Sequence, residues 1–436
     1  MRKYTIGKCC LYAIAFTIMG CSKSVNGHQP VIPKDSSLVN TSHLDYLYTP
    51  VTFSTGTKAA GVYIYSEAPD YHLVEAAGEG FTCTDDVARA ALVYLRSPKF
   101  SSDTAMQSKT FNLLRFILEM QSTNGYFYNF LFTNGSINKT GITSADNANW
   151  WSWRALQALT EAEPAIKNRD AQLHTKMTLA IGSLVSKIKT DLVNLALTTK
   201  LVNGIAVPEW LPAGSGTDQA AVLIIGLISY CSSNNDDVIK NYIKKLADGI
   251  VSMQKGDATH YPYACFLSWE NTWHAYGNLQ AYALMQAGIF LQDPQYTTTA
   301  IAEVDNFYPW LLQNGFKSSF AISKNGDAFQ TLTENSYDQI AYGIETMVFA
   351  ATEAYKETAQ EKYADMAGHL AAWFLGANDA GMNIYSPVTG RCYDAISSAT
   401  NVNHNSGAES TIEALLTLQR VEDFAAVKLA LNKYKK

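Results

Sequence analysis

Asp85 and Asp86 stand side by side in the stretch Gly78 to Leu95, GEGFTCTDDVARAALVYL. A glycine-bearing polar loop runs there into an apolar helical pattern made by Val87, Ala88, Ala91, Leu92 and Leu95. One carboxylate at such a place serves as a cap, because the first N–H groups of a helix lack partners and its dipole is positive there. The second has no such duty. Two adjacent carboxylates in a partly buried loop repel each other, so one is expected to keep its proton to higher pH than a free aspartate. A carboxylic acid beside a carboxylate is what hydrolysis of a glycosidic bond requires. One protonates the leaving oxygen and the other activates water or attacks the sugar, with roughly 6.5–9.5 Å between the groups of an inverting pair.

Similar loop-to-helix entrances recur along the chain, carrying Asp146, Asp218, Glu270, Asp338 and Glu409. The periodicity predicts twelve helices, near 85–96, 104–121, 146–162, 171–197, 217–232, 237–254, 270–288, 296–313, 336–355, 358–375, 408–420 and 422–434. Helix 237–254 is one-sided, with Ile239, Tyr242, Ile243, Leu246 and Ile250 on one face and its lysines elsewhere. Helix 217–232 is apolar almost all round, from Ala220 to Ile228, and needs cover on every side. Odd helices inside and even ones outside satisfy both patterns. The expected fold is all-α: an (α/α)6 toroid of six hairpins behind a short extended N-terminal segment, with a two-layer solenoid as the alternative. In a closed ring, parallel inner helices open their N-termini on one face, and the first and last hairpins are neighbours. Asp85 and Asp86 then meet Glu409.

Long aromatic and polar loops precede several of these entrances, notably 124–132, 207–216, 261–271 and 376–407. Loops longer than a connection requires are usually functional. They supply further candidates. Glu209, next to Trp210 with no helix to cap, is a reserve acid. Asp146 with Trp150, and Trp269, Glu270 and Trp273 beside His274, are expected substrate contacts, as is Asp338. His260, Tyr393 and His404 lie in loops of the same face, and Arg391 is placed to recognise an acidic sugar. Arg89, at i+4 from Asp85, reads as an intrahelical ion pair.

Composition limits the alternatives. The 436 residues are 47% hydrophobic and 17% charged, with a formal charge of −6, which argues against nucleic acid as a partner. Twenty-five tyrosines and eight tryptophans suit a large core, and equally a cleft that stacks on sugar rings. No HExxH motif, Cys/His cluster, phosphate-binding glycine loop or serine nucleophile elbow is present, so neither metal nor cofactor is expected. Cys83, Cys231, Cys265 and Cys392 are scattered singly and read as free buried thiols.

Residues 1–21 read as a targeting segment. Arg2, Lys3 and Lys8 precede a short apolar run, and Ile18-Met19-Gly20-Cys21 resembles the lipobox of bacterial lipoproteins. That resemblance implies lipidation of Cys21 and a periplasmic or cell-surface location, the membrane being met only through the anchor. An ordinary secretory peptide is the alternative. Residues 22–50 then form a tether, and 51–436 a single domain, expected as a monomer.

The twelve-helix pattern resembles the six-hairpin glycosidase superfamily over roughly residues 51–434. The block GFTCTDDVARAALVYL is similar to one in all-helical modules attached to some bacterial glycosyltransferases. WFLGAND (373–379), followed by TGRCYDAI (389–396) and NHNSGAEST (403–411), resembles the late segment of family 9 glycoside hydrolases. The family's DAGD signature is absent. By motif position the resemblance implies that Asp85 and Asp86 supply the base and Glu409 the acid. The function expected is hydrolysis of a poly- or oligosaccharide. Two alternatives are a polysaccharide lyase on the same barrel, with a Tyr, His or Arg base system, and a glycan-binding protein without catalysis.

Overall fold

The computed structural model describes residues 37–436. The targeting segment, Cys21 and residues 22–36 of the expected tether lie outside them. Residues 37–50 belong to the compact body. Helix α1 (Ser42–Leu47) buries Leu44 and Leu47 against the last hairpin, and strand Tyr48–Thr52 pairs with Lys58–Val62. Leu44 and Leu47, the contact of His43 Nε2 with the Ser406 carbonyl and the Lys109–Asp45 ion pair hold to the body a stretch whose composition reads as a linker.

The remaining helices are α2 (Thr84–Leu95), α3 (Thr104–Glu119), α4 (Trp150–Ile166), α5 (Ala171–Asp191), α6 (Thr217–Ser233) and α7 (Asp237–Ser252), followed by α8 (Gln280–Leu291), α9 (Pro294–Asn314), α10 (Ala341–Thr358), α11 (Glu361–Ala371), α12 (Ala408–Glu422) and α13 (Ala425–Tyr434). Even-numbered helices from α2 to α12 each pack on the next, and α12 returns to α2, so the ring closes. Odd-numbered helices from α3 to α13 lie outside as the second arm of each hairpin. This is the (α/α)6 toroid. Cross-ring contacts confirm that the inner helices are parallel. Starts meet starts, as in Trp153 Nε1–H to Gln219 at 3.1 Å, and ends meet ends, as in Arg96 with Glu161 at 2.8 Å. Helix α6 is buried nearly all round, and at Gly226 it touches α4 so closely that a Cβ would lie 3.1 Å from Leu156.

Outer and inner helices start differently. Asp103, Asp170, Asp236 and Asp293 cap α3, α5, α7 and α9, each accepting a backbone N–H of the first turn at 2.9–3.2 Å. The N-caps of the inner helices are Cys83, Asn149, Gly216, Leu279, Ile340 and Gly407. No carboxylate occupies an inner N-cap, and Asp85, Asp86 and Glu409 are released from capping.

Several expected boundaries shift. The helix expected over 171–197 stops at Asp191, and a hairpin of Thr199–Val202 with Ile205–Pro208 follows. The helix expected over 270–288 begins only at Gln280. Residues Thr272–His274 are instead a strand, paired with Ser319–Ala321 of a hairpin over 319–335. The chain turns between that hairpin's strands at Gly326, with φ of +61°. Helix α4 starts at Trp150 and α10 at Ala341, four and five residues later than expected.

Candidate active site

The acidic cavity lies where the N-termini of α2 and α12 meet. Strand Thr82–Cys83, paired with Phe130–Leu131, aims the chain into α2. Thr84 N–H donates to the Asn129 carbonyl at 2.7 Å, Thr84 Oγ1 to the Tyr128 carbonyl at 2.7 Å, and Asp85 N–H to Asn129 Oδ1 at 3.2 Å. Asp86 N–H donates to the Cys83 sulfur at 3.4 Å. Both aspartates therefore sit in the first turn with their carboxylates free to face the cavity. It has a volume of about 360 Å³, and Asp85, Asp86, Arg89, Asp394 and Glu409 line it.

Arg89 organises the site. Its Nη2 donates to Asp86 Oδ1 at 2.7 Å, Asp85 Oδ2 at 2.9 Å and Glu409 Oε2 at 3.3 Å, while Nη1 meets the buried Glu413 one turn below Glu409. The intrahelical pair expected from spacing is thus one arm of a cross-ring link between the first and last inner helices. Arg154 adds a second guanidinium: Nε lies 3.7 Å from Asp85 Oδ1 and Nη2 donates to the Tyr342 hydroxyl. The Tyr342 ring lies 5.2 Å from the Arg89 guanidinium and 5.4 Å from that of Arg154.

Two guanidinium groups face five carboxyl groups, those of Asp85, Asp86, Glu345, Glu409 and Glu413. Charge excess in a buried place makes some of them keep protons. Burial pushes Asp86 up to about 7, Arg89 opposing and Asp85 adding to the shift. Burial likewise raises Glu345 and Glu413, each further raised by a neighbouring glutamate. The raised aspartate expected from the adjacent pair is therefore present, with burial its leading cause and the neighbour's repulsion secondary. Accessibility grades the carboxylates: the Glu409 side chain is 45% exposed, Asp85 24% and Asp86 5%. Asp394 Oδ1 accepts the Gly407 N–H at 2.8 Å and the Ser410 hydroxyl at 2.7 Å at the start of α12. Glu409 has no capping work as a result. Arg89 Nη2 occupies the space between the Asp86 and Glu409 carboxylates, drawn in by the charge of both.

Across the ring, at the α6–α8 side, Asp218 Oδ2 lies 3.0 Å from His274 Nε2, and His274 Nδ1 lies 2.7 Å from the Tyr276 carbonyl. Both imidazole nitrogens are thus engaged, one by a carbonyl and one by a carboxylate. Trp150, half-buried at the start of α4, packs against Gly277, where φ is +70° and a Cβ would lie 2.7 Å from the indole.

Other expected site residues divide. Trp273 is core, stacked on Phe320 at 5.2 Å and buried. Trp210 is buried too, its ring facing Lys245 at 5.4 Å. Trp269 is exposed, with its indole N–H bonded to the Ala213 carbonyl at 3.2 Å. Glu209 is exposed after the 199–208 hairpin and does not line the cavity. Glu270 stands in a left-handed turn, φ +50°, paired with Lys200 at 2.6 Å rather than opening a helix. Asp146 accepts from Asn124 Nδ2 at 2.9 Å, four residues ahead of α4, and Asp338 is exposed ahead of α10. His260 is exposed and bonded to Asp257. Arg391 lies over the Tyr71 ring at 3.9 Å, and Tyr393 packs on His404 at 4.6 Å. None of these three lines the acidic cavity. Glu413, Asp394 and Arg154 were not singled out by sequence reasoning; Glu413, at i+4 from Glu409, carried the one available signal.

Among the described residues no group of His, Cys, Asp and Glu has a metal-binding arrangement. The sequence matches no family model and no curated protein. Solved structures of similar shape do exist. A sugar epimerase from a ruminal bacterium has a TM-score of 0.59 at 10% identity, with 84% of this chain and 92% of that chain aligned. Cellobiose 2-epimerase from Bacillus thermoamylovorans B4167 has 0.58 at 12%, with the same coverage. A D-mannose isomerase has 0.55 at 12%, over 86% and 91%. The six-hairpin resemblance read from the sequence holds at the level of the fold, and the chain is an (α/α)6 toroid of that superfamily's shape.

Proposed function

We propose that this chain hydrolyses a glycosidic bond of an oligo- or polysaccharide in the acidic cavity. The observation that carries the reading is one cavity holding a carboxyl group raised to about 7, Asp86, beside the exposed carboxylate of Glu409. Paired titratable groups whose environments separate them are the mark of an acid and a base at work. Asp86 gives its proton to the glycosidic oxygen as the C–O bond breaks. With substrate in place, Arg89 Nη2 gives up the space between the two carboxyl groups, and water enters it, forms the new C–O bond at the anomeric carbon and releases its proton to Glu409. Asp85, against Arg89 and Arg154, supplies negative charge for the developing oxocarbenium ion. This assignment reverses the roles implied by the family 9 resemblance, because it is Asp86 that burial keeps neutral.

Two competing chemistries fit the site less well. A tyrosine base for elimination needs a phenol easily ionised, whereas burial pushes Tyr342 well above its usual value. Two of the aligned structures are sugar epimerases and one is an isomerase, and proton transfer at carbon is chemistry for which imidazole is a suitable base. His274 at this mouth has both ring nitrogens engaged. The test is reducing-end release from a panel of plant, fungal and host glycans by residues 22–436, beside Asp86→Asn and Glu409→Gln. Release by the parent that both variants lack supports the reading. Release accompanied by absorbance from an unsaturated sugar contradicts it in favour of a lyase, and binding without release in favour of a binding protein. We also propose export and lipidation at Cys21. Cys21→Ala in the full chain is expected to move the protein from the membrane fraction to the soluble one, and unchanged fractionation would contradict this.

A further inference from the structure

Tyr276 stands on the rim across the ring from the acidic cavity, and its surroundings are those of a platform. Its ring lies parallel to the His274 imidazole, centroids 3.8 Å apart and planes at 11°. The imidazole behind it is fixed through both nitrogens, to the Tyr276 carbonyl and to the buried Asp218. The outward side is open, with the residue 49% exposed. Gly277 follows, close against Trp150, and a Cβ there would also lie 3.4 Å from the Tyr342 hydroxyl. Tyr342 in turn carries Arg89 on its ring. A run of contacts thus joins the Tyr276 shelf to the arginine that holds Asp85, Asp86 and Glu409. A large ring braced from behind and bare in front presents a fixed apolar face to a ligand. The flat C–H face of a pyranose is apolar and matches an aromatic face. The most open charged group of the cavity across the ring from Tyr276 is Glu409, whose carboxylate would repel a uronate.

We propose that Tyr276, braced by His274 and Asp218, stacks on an uncharged pyranose unit of the substrate, so that the barrel takes a neutral oligosaccharide spanning the mouth from this shelf to the acidic cavity. The inference rests on the reading of the chain as glycan-active. It replaces the acidic sugar suggested by Arg391, whose guanidinium is stacked on Tyr71. Calorimetric titration of residues 22–436 with cellopentaose, mannopentaose, xylopentaose and pentagalacturonate tests it, with turnover of each probe followed in parallel. At least one neutral probe binds, pentagalacturonate does not, Tyr276→Ala weakens binding roughly tenfold and Tyr276→Phe leaves it within about twofold. Melting temperatures of the variants control for folding. Neutral binding indifferent to Tyr276→Ala, equal loss in Tyr276→Phe, preference for pentagalacturonate or no binding of any probe would each overturn the proposal. Tyr276-dependent binding without turnover would sink hydrolysis alone, and turnover lost in Asp86→Asn with binding indifferent to Tyr276 would sink the platform alone.

Discussion

Arg89 is the residue on which the site depends most. Buried, it meets Asp85, Asp86, Glu409 and Glu413 from one side chain. A lysine cannot replace that fork, since an ammonium is a point charge without the planar spread of donors. Arg89→Met leaves Asp86 buried without its cation and Glu413 with Arg154 alone. Breaking such a pair costs on the order of 3–5 kcal/mol. The variant is expected to lose that much in urea unfolding at pH 8 and clearly less at pH 5, where the stranded carboxyl groups take up protons. An equal loss at both values would mean that charge is not what Arg89 balances. Asp85, Asp86 and Glu409 were legible from residue type, helix-entrance position and ring closure. Arg154, Glu413 and Asp394 were not, because periodicity does not separate a polar residue facing a barrel axis from one facing solvent.

At the scale of the helix, the division between capping acids and cavity acids has measurable consequences. Asp103 accepts the Met106 N–H at 3.0 Å and caps α3. Asp103→Ala is expected to cost about 1 kcal/mol of stability without touching turnover. Glu409→Gln, at an entrance already served by Asp394, is expected to shift stability by less than about 0.5 kcal/mol while removing hydrolysis. Unfolding curves and turnover on one substrate check both, and a large stability loss in Glu409→Gln would return it to a structural role. Helix pairing was readable along most of the chain because the outer helices are amphipathic and the inner ones apolar. Helical periodicity does not show the 319–335 hairpin, although its Asn325-Gly326-Asp327 turn is a strong local signal. Without that hairpin nothing in Thr272–His274 shows that it pairs as a strand, so Trp273 read as a ligand contact when it is core.

Across the whole molecule, raised carboxyl groups tie stability to pH. Burial pushes Asp86 up to about 7 and Glu303 up to about 8, against 3.8 and 4.5 for the free groups. The folded chain therefore holds protons that the unfolded chain releases from about pH 4 upward. Stability is greatest at the acidic end of this window, falls as pH rises toward 8, and levels off once both groups are ionised in the folded state. Glu303 is outside the active site, accepting the Phe266 N–H at 2.8 Å beneath the barrel's loops. Glu303→Gln keeps an acceptor for that N–H and has no proton to lose. Its melting temperature is expected to fall less than the parent's between pH 5 and pH 8, and parallel profiles would contradict the linkage. Ring closure is what brings residues 85 and 409 together, and it was inferable because there are six helix pairs and the inner helices, apolar nearly all round, need cover on every side.

The most direct measurement of the central claim compares Asp86→Asn and Glu409→Gln on a natural oligosaccharide and on the matching nitrophenyl glycoside, whose leaving group needs no proton. If Asp86 is the acid, Asp86→Asn loses turnover of the oligosaccharide but keeps much of it on the nitrophenyl glycoside, and Glu409→Gln loses both. The parent's kcat/KM should also fall as pH rises through about 7, following the Asp86 proton. Retention of nitrophenyl turnover by Glu409→Gln, with Asp86→Asn dead on both substrates, would contradict the assignment and restore the order implied by the family 9 resemblance.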